Sequence, residues 1–510
     1  MNISDWLHRT ARLTPGAPAL LQGDRLDADY AGFAARAAGI AGALRARFGV
    51  DPGDRAAIFM TNRTEFLEAL YGIWWAGAIA VPINCKLHAR EAAWICAHAE
   101  AKLALVSDDV GAELAQVAPD LTCLSADADA DWAALRAHAP LALPEPRAPT
   151  DGAQLFYTSG TTGRPKGVLL SHRALLSASL CYPIDVDEVS AADCILYSAP
   201  MSHGAGFYNL IHVRAGARHC VPPSGAFDPG EILDLAPRLD RVSFFAAPTM
   251  IRRLVDRAKG QGGTGEGIRT IVYGGGPMYV ADIEEAVAVM GPRFVQIYGQ
   301  GESPMCITAL SRGLVVDRDS PRWRERLGSV GVAQSCVELR IGDADGAELP
   351  LGETGEIMVR GPQVMSEYWR NPEATAATLA GGWLRTGDVG RMDEDGFLWL
   401  TDRSKDMIIS GGSNVYPREV EEAVLEHPDV HEVSVVGRPH PEWGEEVVAF
   451  VSLVPGADWD PGRLAAHCND RIARFKRPKV WIRVEDLPKN AYGKVLKTEL
   501  RQRLAAETAG

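Results

Sequence analysis

The residues between Thr158 and Gly167 offer one kind of chemistry above all. Thr158, Ser159, Thr161 and Thr162 supply four hydroxyls, and Lys166 adds a compact positive charge. Gly160, Gly163 and Gly167 let the backbone approach a ligand closely. Amide N–H groups, hydroxyls and an ammonium together suit a polyphosphate. The spacing is not that of a P-loop NTPase, which needs G-x-x-x-x-G-K-[ST]. Here Gly160 and Gly163 are too close together, and Gly167 follows Lys166. A second cluster, RIARFKRPK at 471–479, holds five basic residues in nine. In isolation such a run reads as a solvated helix end. On a chain of net charge −14 it also offers a place for a small phosphorylated ligand.

These residues need elements to hold them. Short strand-like runs recur: AAIFM (56–60), LALVS (103–107), CILYSAP (194–200), VSFFAAP (242–248) and RTIVYGG (269–275). Helical patterns lie between several of them, such as 231–239, started by Asp228-Pro229, and 279–290. Strands alternating with helices predict βαβ units and largely parallel sheets. Past about residue 325 turn signals crowd in (DADG, LGETG, DEDG) and predict a small antiparallel β unit. After Asp402 a loop, a helix at 417–426, strands and further helices predict an α+β domain. The segments 126–149 and 260–267 read as surface connections.

Composition excludes whole classes. With 510 residues, 46% hydrophobic and 23% charged, the chain is globular and long enough for two to four units. Its 66 acids against 52 bases make it a poor general binder of nucleic acid. Nine scattered cysteines, with no CxxC pair, argue against a disulfide framework and a structural zinc site and fit a reducing compartment. The start has no apolar signal core, and the apolar stretch Ala69 to Ile83 is too short and broken to span a bilayer. The expected location is the cytoplasm, with no integral membrane segment; a homodimer stays open.

The loop does not stand alone. In order follow APMSHGAGF (199–207), YGGGPM (273–278), YGQGES (298–303), GWLRTGD (382–388), DRSKDMIISGGSNVYPREVE (402–421) and KNAYGKVLK (489–497). Together with YTSGTTGRPKG they resemble the adenylate-forming superfamily, in its acyl- and aryl-CoA ligase branch. The resemblance implies an N-terminal adenylation domain over 1–402, with two mixed, mostly parallel sheets flanked by helices and a β-barrel-like unit at about 325–402. It implies a small mobile α+β C-terminal domain over 403–510. The implied reaction joins a carboxylate to ATP as acyl-AMP with loss of pyrophosphate, then transfers the acyl group to coenzyme A. ATP, Mg²⁺ and coenzyme A are the implied cofactors. A ligase that loads an acyl carrier protein and a silent adenylate-binding protein are the alternatives.

Carried over residue by residue, the resemblance assigns the nucleotide to Thr158, Ser159, Gly160, Thr161, Thr162, Gly163, Lys166, Gly274, Gly275, Gly276, Tyr298, Gly299, Gln300, Glu302, Asp388, Arg403 and Lys494. Tyr298 would stack on adenine and Asp388 would bind the ribose. Glu302 would hold Mg²⁺, which favours hard oxygen ligands. Lys494 would be the mobile catalytic lysine, acting with Thr158, Lys166, Glu302 and His203, and Lys405 the hinge. Gly301 departs from the pattern, standing where the family has threonine, and Ser303 or water is expected to compensate. The acyl pocket falls on His203, Gly204, Ala205, Phe207, Phe245, Gly274, Ile297 and Met305. Its small residues imply room for a bulky or long acid, and the lack of Lys or Arg disfavours dicarboxylates. Fatty and aryl acids both remain open. Coenzyme A is assigned to Gly411, Gly412, Trp443, Phe475, Arg477 and Lys479.

Overall fold

The computed structural model describes the chain except for residues 159–164, 277, 404–405, 411–412, 442, 470, 473, 490–494 and 509–510, and gives only the backbone of 129, 402–403, 409, 413–414, 475 and 506–508. Among the described residues four sheets form. One is mostly parallel and carries, from its edge inward, Glu367–Tyr368, Lys166–Ser171, Gly152–Thr158, Ile79–Pro82 and Arg55–Phe59. A second runs from Val332–Ala333 through Ser303–Leu310, Phe294–Gln300, Ile268–Tyr273 and Val242–Ala246 to the strands near the N-terminus. The strand-like runs of the sequence all form strands here. Those in the sheet interiors are buried on both faces, as parallel strands covered by helices must be. Asp228 caps the helix Pro229–Leu239 by accepting the Glu231 N–H at 2.8 Å.

The antiparallel unit forms as expected, from Glu338–Gly342, Gly355–Arg360, Leu384–Met392 and Leu398–Arg403. Beyond it a fourth sheet pairs Val430–His440 with Gly444–Leu453 and carries its own core of Val420, Val435, Val447 and Val451. The helix Pro417–Leu425 leans back on the larger part: Arg418 donates to the Met278 carbonyl at 3.3 Å, and Tyr279 donates to Glu421 at 3.3 Å. Among the described residues no helix is long and apolar enough to cross a membrane.

The segment 126–149 is more than a surface connection. Residues Asp129–Arg136 form a helix that buries Trp132 and Leu135. The Trp132 indole and the Arg136 guanidinium both donate to the buried Glu68 carboxylate, at 3.2 and 2.7 Å. A Cβ on Gly39 would stand 2.1 Å from the Arg136 carbonyl, and one on Gly42 2.0 Å from that of Ala139. The docking therefore depends on glycines 97 residues away, which local composition does not reveal.

Candidate active site

The strands on either side of the expected phosphate loop pair antiparallel. Thr158 ends one strand and pairs in register with Lys166, which begins the next. Ser159, Gly160, Thr161, Thr162 and Gly163 lie outside the described residues. The Lys166 ammonium sits 4.7 Å from the centre of the Tyr368 ring. The Tyr368 hydroxyl in turn donates to Glu302 Oε1 at 2.6 Å. Burial and the Glu302 carboxylate push the Tyr368 phenol pKa up, so it stays protonated and keeps donating. Lys166 and Glu302, 136 residues apart, are thus joined through Tyr368. Sequence reasoning missed Tyr368. Its role comes from strand pairing, Tyr368 opposite Val168, and no local motif announces it.

A second phenol–carboxylate pair starts from the strand Phe294–Gln300, which pairs with Ser303–Leu310 and leads into Glu302. Tyr298 donates to Asp388 Oδ2 at 2.6 Å, both residues being buried. Asp388 is paired opposite Arg403 between the strands Leu384–Met392 and Leu398–Arg403, so the backbone alone brings these two expected nucleotide residues side by side. The Arg403 side chain lies outside the described residues, as do Lys494 and Lys405.

The glycines have separate reasons. A Cβ on Gly274 would stand 2.5 Å from the Ile297 carbonyl, so this glycine allows strand packing. Gly275 has φ +78°, which favours glycine. At Gly276 a Cβ would make ordinary van der Waals contact with the Pro248 ring at 3.7 Å, so packing alone does not require glycine there. A Cβ on Gly299 would approach the Met305 amide nitrogen to 2.8 Å. At Gly301 the added carbon would lie 2.3 Å from Thr158 Cγ2, with the Phe156 ring 3.1 Å away. The Thr158 methyl thus fills the space that a side chain at 301 would need. The expected help from Ser303 does not hold: that residue is fully buried, and its hydroxyl donates to the Cys306 carbonyl at 2.9 Å. The residues present suit a magnesium nucleotide. Glu302 and Lys166 meet on the two sides of Tyr368, Tyr298 positions the Asp388 carboxylate, and the buried Gln300 amide nitrogen has no partner among the described residues.

His203 is half-buried and packs on Phe156, ring centres 4.9 Å apart, and desolvation there lowers its pKa to about 4. It is neutral at pH 7. Beside it a cavity of about 20 Å³ is lined by Tyr182, Phe207, Tyr208, Ile211, Met305 and Gln334, among others, and by no charged side chain. That is room for about one water. The small residues do not leave a large void. A Cβ on Gly204 would be 3.2 Å from Met305 Sδ, so Met305 takes up the space. Met305 itself holds φ +60°, a costly conformation for a side-chain residue. Of the expected pocket residues, Phe207 and Met305 line the cavity. Phe245 packs on Tyr208 with ring centres 6.2 Å apart, and Ile297 packs on Gly274. Ala205 is buried in the short helix Gly204–Phe207. Tyr182, Tyr208 and Gln334 were not anticipated. Tyr182 and its neighbours form a π-helical turn, Tyr182–Val186, where Pro183 cannot continue the α-helical ladder. Behind this wall three thiols meet, those of Cys181, Cys306 and Cys336. Hydrogen bonds from Cys306 and Cys336 hold the Cys181 thiol far below its usual range.

In the C-terminal part Trp443 stacks on His440 at 4.3 Å, and the Lys479 ammonium lies 5.8 Å from the Trp443 ring. Arg477 is turned inward, donating to Asn469 Oδ1 at 2.7 Å and to the Ile472 carbonyl at 2.9 Å. Gly411, Gly412 and the Phe475 side chain lie outside the described residues.

The AMP-binding enzyme family matches residues 7–369, and the AMP-binding enzyme C-terminal domain matches 419–494. This chain belongs to the AMP-binding enzyme family. It is 36% identical to an indoleacetate–CoA ligase of Aromatoleum aromaticum, over 100% of this chain and 99% of the relative. It is 35% identical to a feruloyl-CoA synthase of an Amycolatopsis species, over 98% and 99%. The o-succinylbenzoate CoA synthetase of Bacillus subtilis, solved with its acyl-adenylate intermediate, superposes with a TM-score of 0.85 at 30% identity, covering 97% of each chain. The family protein is an AMP-forming acid–CoA ligase that uses ATP and coenzyme A, as the motifs led one to expect.

Proposed function

We propose that the acid is an uncharged aryl carboxylic acid with a polar ring substituent. The observation that carries this reading is the Tyr208 hydroxyl. It is buried on the cavity wall and has no partner among the described residues, while no charged side chain lines the cavity. A buried hydroxyl without a partner costs about 1–3 kcal/mol, which a substituent on the substrate would recover. Aromatic side chains from Tyr182, Phe207 and Tyr208 suit a ring better than a long flexible chain, and Met305 must shift to admit it, because the cavity as it stands holds about one water. Two relatives with aryl acids in their names, indoleacetate and ferulate, point the same way.

Magnesium, when bound, neutralises phosphate charge, and coenzyme A brings the accepting thiol. Glu302 is the metal ligand, and the Tyr368 hydroxyl fixes which carboxylate oxygen is left for it. Lys166 and the hydroxyls of 158–162 hold the phosphates, while Asp388 and Arg403 hold the ribose. Neutral His203 closes the acid side without adding charge. Lys494 carries its ammonium to the carboxylate and α-phosphate, and the segment beyond Lys405 turns to bring Trp443 and Lys479 to coenzyme A. Nine unpaired thiols and the strongly negative charge support a reducing cytoplasmic setting without nucleic-acid partners.

The test is AMP release from ATP and Mg²⁺ with a panel of acids, each run with and without coenzyme A. Expected is CoA-dependent turnover at least about tenfold faster with hydroxylated aryl acids than with long-chain fatty acids. Tyr208→Phe should remove that preference. Faster turnover with long-chain acids overturns the reading. Lys494→Ala should abolish adenylation but spare thioester formation from a supplied acyl-adenylate. Lys405→Pro, by locking φ, should impair the second half-reaction more than the first.

A further inference from the structure

Three cysteines far apart in the chain come together behind the acid cavity. Cys181 ends the helix His172–Cys181, Cys306 lies in the strand Ser303–Leu310, and Cys336 follows the short strand Val332–Ala333. Their sulfur atoms all lie within 4.8 Å of one another, and Cys306 and Cys336 are 3.9 Å apart. Zinc–thiolate bonds of about 2.3 Å put two sulfurs of a tetrahedral site about 3.8 Å apart. A disulfide needs about 2.05 Å and would leave the third thiol over. Each cysteine also stands within two residues of a side chain on the cavity wall: Tyr182, Met305 and Gln334.

The geometry points to a site for a thiophilic d¹⁰ divalent cation held by Cys181, Cys306 and Cys336 against the back of the acid cavity. Soft thiolates select such ions over magnesium, so the site does not compete with the one at Glu302. Cys336 is half-buried and gives the ion a way in, whereas Cys181 and Cys306 are buried. Asp185 stands at the edge of the cluster, fixed by the Ser335 amide at 2.9 Å and the Ser335 hydroxyl at 2.8 Å. A water is available as fourth ligand. Each ligating thiol gives up its proton, so uptake weakens as pH falls. The bound ion would tie the helix end, the strand and the 334–336 turn together, and so brace Tyr182 and Met305.

The experiment titrates the reduced, metal-free enzyme with Cd²⁺, then displaces it with Zn²⁺. Expected is an ultraviolet thiolate-to-cadmium charge-transfer band that saturates at one equivalent per chain. Cys181→Ser, Cys306→Ser and Cys336→Ser should each weaken uptake at least tenfold. Cys194→Ser, outside the cluster, should leave it unchanged. In wild-type enzyme cadmium should also shield Cys336, the half-buried member of the cluster, from a thiol reagent, a readout that does not depend on the variants folding. Absence of the band, or its survival in all three cluster variants, overturns the proposal. So does closure of a disulfide within the cluster by a mild oxidant in enzyme that takes up no cadmium.

Discussion

Two phenol–carboxylate pairs leave one hairpin in different directions. Tyr298, in the strand Phe294–Gln300, donates to Asp388 of the small antiparallel sheet. Glu302, four residues on, accepts from Tyr368 at the edge of the mostly parallel sheet. Both bonds are 2.6 Å long, and both carboxylates are buried. Their surroundings differ. The Glu302 pair has an ammonium over its ring, Lys166, and a glycine next door at 301 that the Thr158 methyl closes over. The Asp388 pair is set by sheet register, opposite Arg403. One pair is thus arranged around charge and the other around backbone. The first should govern the rate of phosphate chemistry, and the second how well the nucleotide is held. In each, a hydrogen bond to an ionised group locks the carboxylate's orientation before a ligand arrives.

The sharpest break of this contrast is Glu302→Gln against Asp388→Asn. The first should lower kcat for adenylation by about 100-fold or more, and the second should mainly raise the KM for ATP, by about tenfold. Equal effects on kcat would erase the distinction; pyrophosphate exchange measures both. Removing the phenols is gentler. Tyr368→Phe and Tyr298→Phe should each cost about tenfold, with kcat falling for the first and KM rising for the second. A double-mutant cycle of Tyr368→Phe with Glu302→Gln should show coupling of about 1.5–3 kcal/mol. Gly301→Ala should cost a few-fold in rate and about 1–3 kcal/mol in stability, because its Cβ meets Thr158. Thr158→Ser, which removes the methyl, should restore most of that stability, as read by thermal melting.

Acid sensitivity should come from buried imidazoles. Burial lowers His203 and His212 to about 4 and His172 to about 3. Between about pH 6.5 and 4 the unfolded chain binds protons that the folded chain refuses. Stability therefore falls as pH drops through that window, by roughly 1.4 kcal/mol per unit for each histidine. Urea melts at pH 7 and pH 5 measure it. Replacing His203 with Asn should flatten part of the slope.

Much of the site could be read from residue order, because a phosphate-binding loop needs local hydroxyls, glycines and a cation at short spacing. Strands buried on both faces were legible as unbroken apolar runs for a similar reason. The reading failed where chemistry depends on distant partners. Tyr368 joins Lys166 to Glu302 only because two edge strands pair. Ser303 looked like a substitute for a missing hydroxyl, but its own hydroxyl is spent on Cys306. Small residues at 204 and 205 suggested an open pocket, yet Met305, held at positive φ, fills it.

The sequence by itself determined the family, the two-step chemistry and the alternation of strands and helices, since each is carried by residue type and short-range spacing. Only the tertiary structure decided which tyrosine steadies which carboxylate, why glycine stands at 301, how small and aromatic the cavity beside Phe207 is, and that Cys181, Cys306 and Cys336 share one place. Those outcomes depend on which strands become neighbours, and on where a helix stops. Both are settled by packing the whole core at once rather than by any one stretch of chain.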